Sequence, residues 1–116
     1  MLRQFMTTAL VTFSVGGCTL HRDISVYGGG YGEAIRGELS GSMVSGVGEL
    51  YVIMPEGETL SGRATFYTDS GNRKCRGTMV GASGAKLDCT ADVDRNTGHG
   101  VGTCVDERER KFTWHF

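Results

Sequence analysis

The four cysteines are the residues whose chemistry is most versatile in this 116-residue chain: Cys18, Cys75, Cys89 and Cys104. No two of them are separated by only two residues, so the spacing indicates neither a redox Cys-x-x-Cys pair nor a zinc knuckle. Cys18 follows an apolar segment near the N-terminus, whereas the other three lie among short segments of strand-like composition. Two uses are therefore predicted: covalent modification of Cys18 and a disulfide among the other three.

The remaining residues offer no catalytic constellation. The chain contains no His-Glu-x-x-His, no Gly-x-Ser-x-Gly and no phosphate-binding loop. Its histidines, His21, His99 and His115, have no neighbouring carboxylate or cysteine at the spacing of metal ligands. The sequence predicts no enzyme activity, no metal and no cofactor.

The charge balance bears on the partner. Lys and Arg number 12 against 13 Asp and Glu, for a net charge of −1. A nucleic-acid-binding domain of this size typically carries a basic excess or a basic stripe. No nucleic-acid partner is expected.

The first 17 residues have the pattern of a targeting segment. One arginine precedes an apolar stretch at 5–15, which is too short for a membrane-spanning helix of ~20 residues and suits a signal-peptide core. Val15, Gly16 and Gly17 then lead into Cys18, and this string resembles the lipobox of bacterial lipoproteins.

That resemblance implies a leader at 1–17 that is removed and a lipid anchor, a palmitate-type acylation, on Cys18. It implies the membrane as a partner through the anchor. An envelope protein is expected as a further partner of the domain. In Gram-negative lipoproteins an Asp directly after the lipidated cysteine retains the protein in the inner membrane. Since Thr19 stands there, the resemblance implies the outer membrane, with the periplasmic and the surface face both open.

Residues 18–32 are interpreted as a lipidated tether. Four glycines within residues 28–32 indicate a flexible spacer or an irregular loop, and only a short candidate strand at 23–27 interrupts the segment.

Residues 33–116 are predicted to form a small β domain. Seven strand-like segments alternate with turns rich in Gly, Ser, Asn and Asp, and no window shows a convincing helical period. These candidate strands are 33–40, 48–54, 62–68, 74–80, 85–93, 101–106 and 111–116. The expected fold is all-β, a small antiparallel meander closed into a barrel or sandwich of six to eight short strands.

The predicted disulfide is Cys75–Cys89. In a meander the strands bearing Cys75, Cys89 and Cys104 lie side by side, so Cys75 and Cys104 are too far apart to bridge. Cys75 and Cys89 alternate with apolar residues, whereas Cys104 alternates with Gly102 and Asp106 and is therefore assigned to a more polar face. The turn between the first two strands is expected to bring Cys75 opposite Cys89. Cys104 would stay free or join another chain.

The short string Ser83-Gly84-Ala85-Lys86 resembles a functional loop. Bacterial lipoprotein inhibitors of c-type lysozyme use a Ser-Gly-x-(Lys/Arg) loop to enter the enzyme's cleft. Ser83 and Lys86 are the two positions that carry over; Leu87 replaces the tyrosine that usually follows, and the second basic motif is not evident.

The function expected from the sequence is that of a non-enzymatic, lipid-anchored envelope lipoprotein whose β domain binds a partner or supports surface structure. The alternative is a lysozyme-inhibitor-like binding protein that uses the loop from Ser83 to Lys86.

Overall fold

The computed structural model describes residues 19–42 and 45–116, which form one closed barrel of eight antiparallel strands. The strands follow one another around the barrel in chain order, and the last pairs with the first. They are β1 (Thr19–Gly28), β2 (Ile35–Ser42), β3 (Val47–Ile53), β4 (Thr59–Asp69), β5 (Asn72–Val80), β6 (Lys86–Val93), β7 (Gly100–Asp106) and β8 (Lys111–His115). The all-β meander prediction is confirmed, and of its two forms the chain adopts the barrel.

Strict alternation along the strands separates an apolar interior from a polar wall. In β6, every second residue from Leu87 to Val93 is buried, and the residues between them are exposed. In β8, Phe112 and Trp114 point inward, and Phe116 continues their row. Because successive side chains of a strand point to opposite faces, this period of two is what a half-buried strand requires. All seven strands expected within 33–116 are present, with ends that differ by a few residues.

Glycines on the inner face allow the sheet to curl into so small a barrel. An added Cβ at Gly37, Gly62 or Gly102 would lie 1.8, 1.7 or 1.9 Å from a carbonyl oxygen of the adjacent strand. No side chain fits at such distances, so these strands bend tightly only because the position is glycine. This need accounts for part of the unusual total of 19 glycines.

The tether prediction for 18–32 is wrong from residue 19 onward. Thr19–Gly28 is the ten-residue strand β1, hydrogen-bonded to β2 along its length and to β8 over its last four residues. Ile24 and Val26 lie in the core. Gly28, Gly29 and Gly30 all have positive φ and form the tight turn into β2. The glycines therefore mark a hairpin turn rather than a spacer, and the β domain includes Thr19–Gly28.

The predicted disulfide Cys75–Cys89 is also wrong: the bridge joins Cys89 and Cys104, and Cys75 is a free, buried thiol. The loop between β5 and β6 is symmetric about Ser83, because Val80 pairs with Lys86. That register puts Cys75 opposite Ala91, two residues from the expected partner.

The face assigned to Cys104 is the second error. Cys104 lies directly opposite Cys89 and is fully buried, and its neighbour Asp106 is buried as well. Gly102 and Asp106 thus occupy the inner face of β7, although neither is apolar.

Candidate binding site at the loop mouth

The barrel has two different ends. Four hairpin loops, 29–34, 54–58, 81–85 and 107–110, gather at the end that we call the loop mouth. Thr19, Phe116 and the loops 70–71 and 94–99 lie at the opposite end, the terminal mouth. Backbone bonds between Gly100 and Phe116, at 3.0 Å in both directions, fix the C-terminus at the terminal mouth.

Ser83 lies at the rim of the loop mouth and is held by a carboxylate of the neighbouring loop. Glu58 accepts the Ser83 backbone N–H at 2.8 Å and the Ser83 hydroxyl at 2.7 Å. These two hydrogen bonds hold the pKa of Glu58 below its usual value. Gly84, at φ +95°, allows the turn in which the Gly81 N–H bonds to the Ala85 carbonyl. The hydroxyl of Ser83 is thus already engaged by its own chain.

Lys86 belongs to the same rim, but its ammonium group points along the outer wall. Its backbone N–H donates to Glu107 Oε1 at 2.9 Å, and this bond is the main cause of the lowered pKa of Glu107. Its Nζ lies 3.4 Å from Asp88 Oδ2. The structure therefore brings Ser83 and Lys86 to one rim and ties each of them to a glutamate of an adjacent loop.

An ion pair between the buried Asp106 and the partly exposed Arg110 organises the loop 107–110. Asp106 accepts the backbone N–H groups of Arg108 and Arg110 at 3.0 and 2.8 Å and the Arg110 Nε at 2.7 Å. Burial, the largest influence, would raise the pKa of Asp106, but the bonds from Arg110 and Arg108 outweigh it and the pKa is lowered. Arg110 also donates to the Gly29 carbonyl at 3.3 Å and lies 5.9 Å from the centre of the Tyr31 ring.

Sequence reasoning missed this pair. The charge run 107–110 has the pattern of a solvated turn, and a surface interpretation fits Glu107 and Arg108, which are exposed. The period of two in β7 puts Asp106 on the same face as Cys104, but it does not tell which of the two faces is the inner one.

These loops enclose a cleft of about 360 Å³ at the loop mouth. Its floor is the apolar end of the core, formed by Met54, Leu60 and Leu87, and its rim is charged. The rim residues are Glu56, Glu58, Lys86, Glu107, Arg108 and Arg110. A charged rim of this kind suits the binding of a polar partner.

The acid–base properties of the cleft bear on catalysis. A general acid at neutral pH needs a carboxyl group with a raised pKa. The pKa values of Glu58, Asp106 and Glu107 are all lowered instead. Such carboxylates accept hydrogen bonds and carry charge, which is what recognition requires.

The three histidines lie apart from the cleft. His21 lies 3.8 Å from Glu38, His99 Nδ1 lies 3.3 Å from the Phe116 carbonyl, and His115 stacks on Tyr27 with ring centres 5.6 Å apart. Within residues 19–42 and 45–116, no group of three His, Cys, Asp or Glu side chains could hold a metal ion.

The lipobox and its Cys18 lie outside the described residues. In the part of the chain that the structure describes, no helix is long and apolar enough to cross a bilayer.

Comparison with known proteins gives no relative. No protein-family model, no curated protein and no solved structure matches the chain.

Proposed function

We propose that this chain is a non-enzymatic, lipid-anchored envelope lipoprotein whose barrel presents the loop mouth to a partner protein. The lipobox-like string that ends at Cys18 supports the anchor. The charged rim of the cleft supports partner binding, and the lowered pKa values of its carboxylates favour recognition over proton transfer.

One observation carries this proposal: Thr19, which directly follows Cys18 and is the first residue that the structure describes, already belongs to β1 of the barrel. An acyl chain on Cys18 would then hold the terminal mouth against the membrane with no spacer between them. The loop mouth, at the other end of tilted strands of about eight residues, would face away from the lipid, roughly 20 Å above it.

The anchor is tested by labelling with palmitate. The wild type should incorporate the label and Cys18→Ser should not, while Cys75→Ser, which removes a buried thiol, serves as the matched control. Equal labelling of Cys18→Ser and the wild type would refute the anchor.

The orientation is tested in proteoliposomes that contain lipids with a quencher in the headgroup. A fluorophore on Asn96→Cys, in a loop of the terminal mouth, should be quenched strongly, and one on Glu56→Cys, at the loop mouth, only weakly. Equal quenching at the two positions would contradict an end-on arrangement.

The residue after Cys18 bears on which membrane holds the protein. Thr19 at this position supports outer-membrane sorting in a Gram-negative cell. Fractionation should find the wild type in the outer membrane and Thr19→Asp in the inner membrane. If both variants fractionated together, the sorting proposal would fail and the anchor would be unaffected.

A lysozyme-inhibitor-like activity is the second candidate, because the loop mouth supplies the basic groups that the sequence pattern lacks. Arg108 and Arg110 line the same cleft as Ser83 and Lys86. Leu87 stands where the inhibitor family usually has a tyrosine. Its side chain is buried in the core and cannot reach a partner.

The contact between Glu58 and Ser83 gives this candidate a sharp test. A partner's carboxylate would have to displace Glu58 from the Ser83 hydroxyl, so Glu58→Gln should strengthen inhibition of a c-type lysozyme. Ser83→Ala and Lys86→Ala should weaken it. No inhibition by the wild type or by Glu58→Gln would rule this activity out.

A further inference from the structure

A groove of about 550 Å³ crosses the outer wall of the barrel over strands β4 to β7. It shares no lining residue with the cleft at the loop mouth. Six of its ten lining residues carry a hydroxyl or a guanidinium group. These groups belong to Thr65, Thr78, Thr90, Thr103, Arg63 and Arg76.

The strand register aligns four of these side chains in one row. Thr65 lies opposite Arg76, Arg76 opposite Thr90, and Thr90 opposite Thr103. Neighbouring strands lie ~4.8 Å apart, so the row offers a hydrogen-bonding group at that interval around the wall. Arg63 lies opposite Thr78, one step along the strands toward the loop mouth.

Neither arginine is neutralised by a carboxylate among the described residues. Arg76 lies over the ring of Tyr67, at 5.4 Å from its centre, which fixes the position of the guanidinium. Glu49 is the cross-strand neighbour of Arg63, yet no salt bridge within 4.0 Å joins them.

The acid within the groove is already engaged. Asp88 accepts the Thr78 hydroxyl at 2.6 Å and lies 3.4 Å from Lys86 Nζ. The bond from Thr78 is the main cause of its lowered pKa. The two guanidinium groups of the groove are therefore available to an anion from outside the chain.

We propose that this groove binds an oxyanion, a phosphate or a sulfate, carried on a hydroxylated polymer of the glycan type. Guanidinium groups bind such oxyanions through two parallel N–H bonds, with a geometry that an ammonium group does not reproduce. The anionic group takes its guanidinium contacts from Arg63 and Arg76, which stand on adjacent strands. The threonine hydroxyls, which both donate and accept, contact the polymer's own hydroxyl groups over Thr90 and Thr103.

Charge on the adjoining wall limits the site to one side. Beyond Arg63, toward β2 and β3, the surface carries Glu38 and Glu49. Those carboxylates repel a second anionic group, so the ligand extends toward β7. The preferred ligand is thus sparsely charged rather than a dense polyanion.

The first test is a titration of the full chain, in neutral detergent, with inorganic phosphate. Amide resonances of Thr78, Thr90 and Thr103 should shift, and Arg63→Ala and Arg76→Ala should each weaken binding roughly tenfold, the scale of one charge-assisted pair. Arg95→Ala removes one positive charge from the exposed loop 94–99 and should leave binding unchanged. Arg63→Lys and Arg76→Lys keep the charge and should still weaken binding.

Two results would overturn the anion site. One is equal affinity in Arg95→Ala and the two groove variants, which would indicate a general charge effect. The other is a shift confined to the amides of Arg108 and Arg110, which would assign the anion to the loop mouth. Unchanged resonances elsewhere in the barrel establish that each variant is folded.

The second test identifies what carries the anion. Lightly sulfated dextran should shift the same three amides, in a salt-sensitive way, while neutral dextran should bind far more weakly. Bicelles with phosphatidylglycerol test whether a lipid headgroup supplies the anion instead. If they shifted these amides and sulfated dextran did not, the glycan assignment would be refuted.

Discussion

Trp114 on the last strand donates its indole N–H to the carbonyl oxygen of Thr90, two strands away, at 2.8 Å. Between them, strand β7 presents Gly102, the direct partner of Trp114 in the ladder. An added Cβ at Gly102 would lie 1.9 Å from the same Thr90 oxygen. The missing side chain thus lets the largest residue of the core reach across β7, and the three residues together bind β6, β7 and β8.

Gly102→Ala should therefore destabilise the barrel. The new methyl group must displace the Thr90 carbonyl and disturb its bond to Trp114, at a cost of about 2–3 kcal/mol in the free energy of unfolding. Gly32→Ala is the matched control, because nothing lies within 4 Å of its added Cβ. Urea unfolding monitored by Trp114 fluorescence measures both. Equal midpoints for the two variants would mean that β7 bends without needing glycine.

The bridge between Cys89 and Cys104 should make a measurable contribution to stability. It closes a loop of 15 residues, which corresponds to about 3 kcal/mol in the chain-entropy model. Cys89→Ala with Cys104→Ala should lose most of that amount, and reduction of the wild type should match it. Non-reducing peptide mapping should find these two cysteines joined and Cys75 alone, and a Cys75–Cys89 peptide would contradict the register.

Cys75 should be chemically silent while the barrel is folded. Burial raises the pKa of its thiol to about 12, so almost no thiolate is present at neutral pH. Iodoacetamide should label it only as fast as the barrel opens, and immediately in concentrated guanidinium chloride. Rapid labelling under native conditions would show that the core around β5 opens locally.

Asp106 should give the barrel an acid-sensitive step. Because its pKa is lowered in the folded protein, its contribution to stability is complete above about pH 4, the unfolded value, and is lost as pH falls toward the folded pKa. Asp106→Asn should be less stable at neutral pH and should lose less stability than the wild type between about pH 5 and pH 2. Asp69→Asn, which removes an exposed carboxylate, controls for the change in net charge. Parallel stability profiles for Asp106→Asn and the wild type would exclude this role.

The alternating pattern of the strands made the fold class predictable, whereas local registers were not. Apolar residues at every second position of β6 and β8 identify half-buried strands without any knowledge of their neighbours. The register between β5 and β6 depends on which residues form the turn, and a five-residue loop permits several choices. A shift of two residues keeps every side chain on its own face, so the pattern that located Cys75 and Cys89 could not detect the error.

The site was predictable only in part, for two physical reasons. Asp106 is a buried acid whose partner, Arg110, follows it within one tight loop, and charge alone assigned both to the surface.

Strand β1 carries few apolar residues before Ile24, and the glycines after Tyr27 match a spacer as well as a turn. Pairing of β1 with β8, which closes the barrel, is what distinguishes a turn from a spacer here.

Closure also imposes an order of events on the newly made protein. Strand β1 is among the first parts of the barrel to leave the ribosome, yet Val26 finds its partner Trp114 only after the other seven strands have been made. Each hairpin between them can form from local contacts. Pairing of β1 with β8 instead closes a loop that contains all the strands in between, so it occurs late. Until then β1 and its apolar residues present an unpaired edge, which is a template for association with other chains. The edge of β1 is therefore shielded only when β8, Lys111–His115, has paired with it.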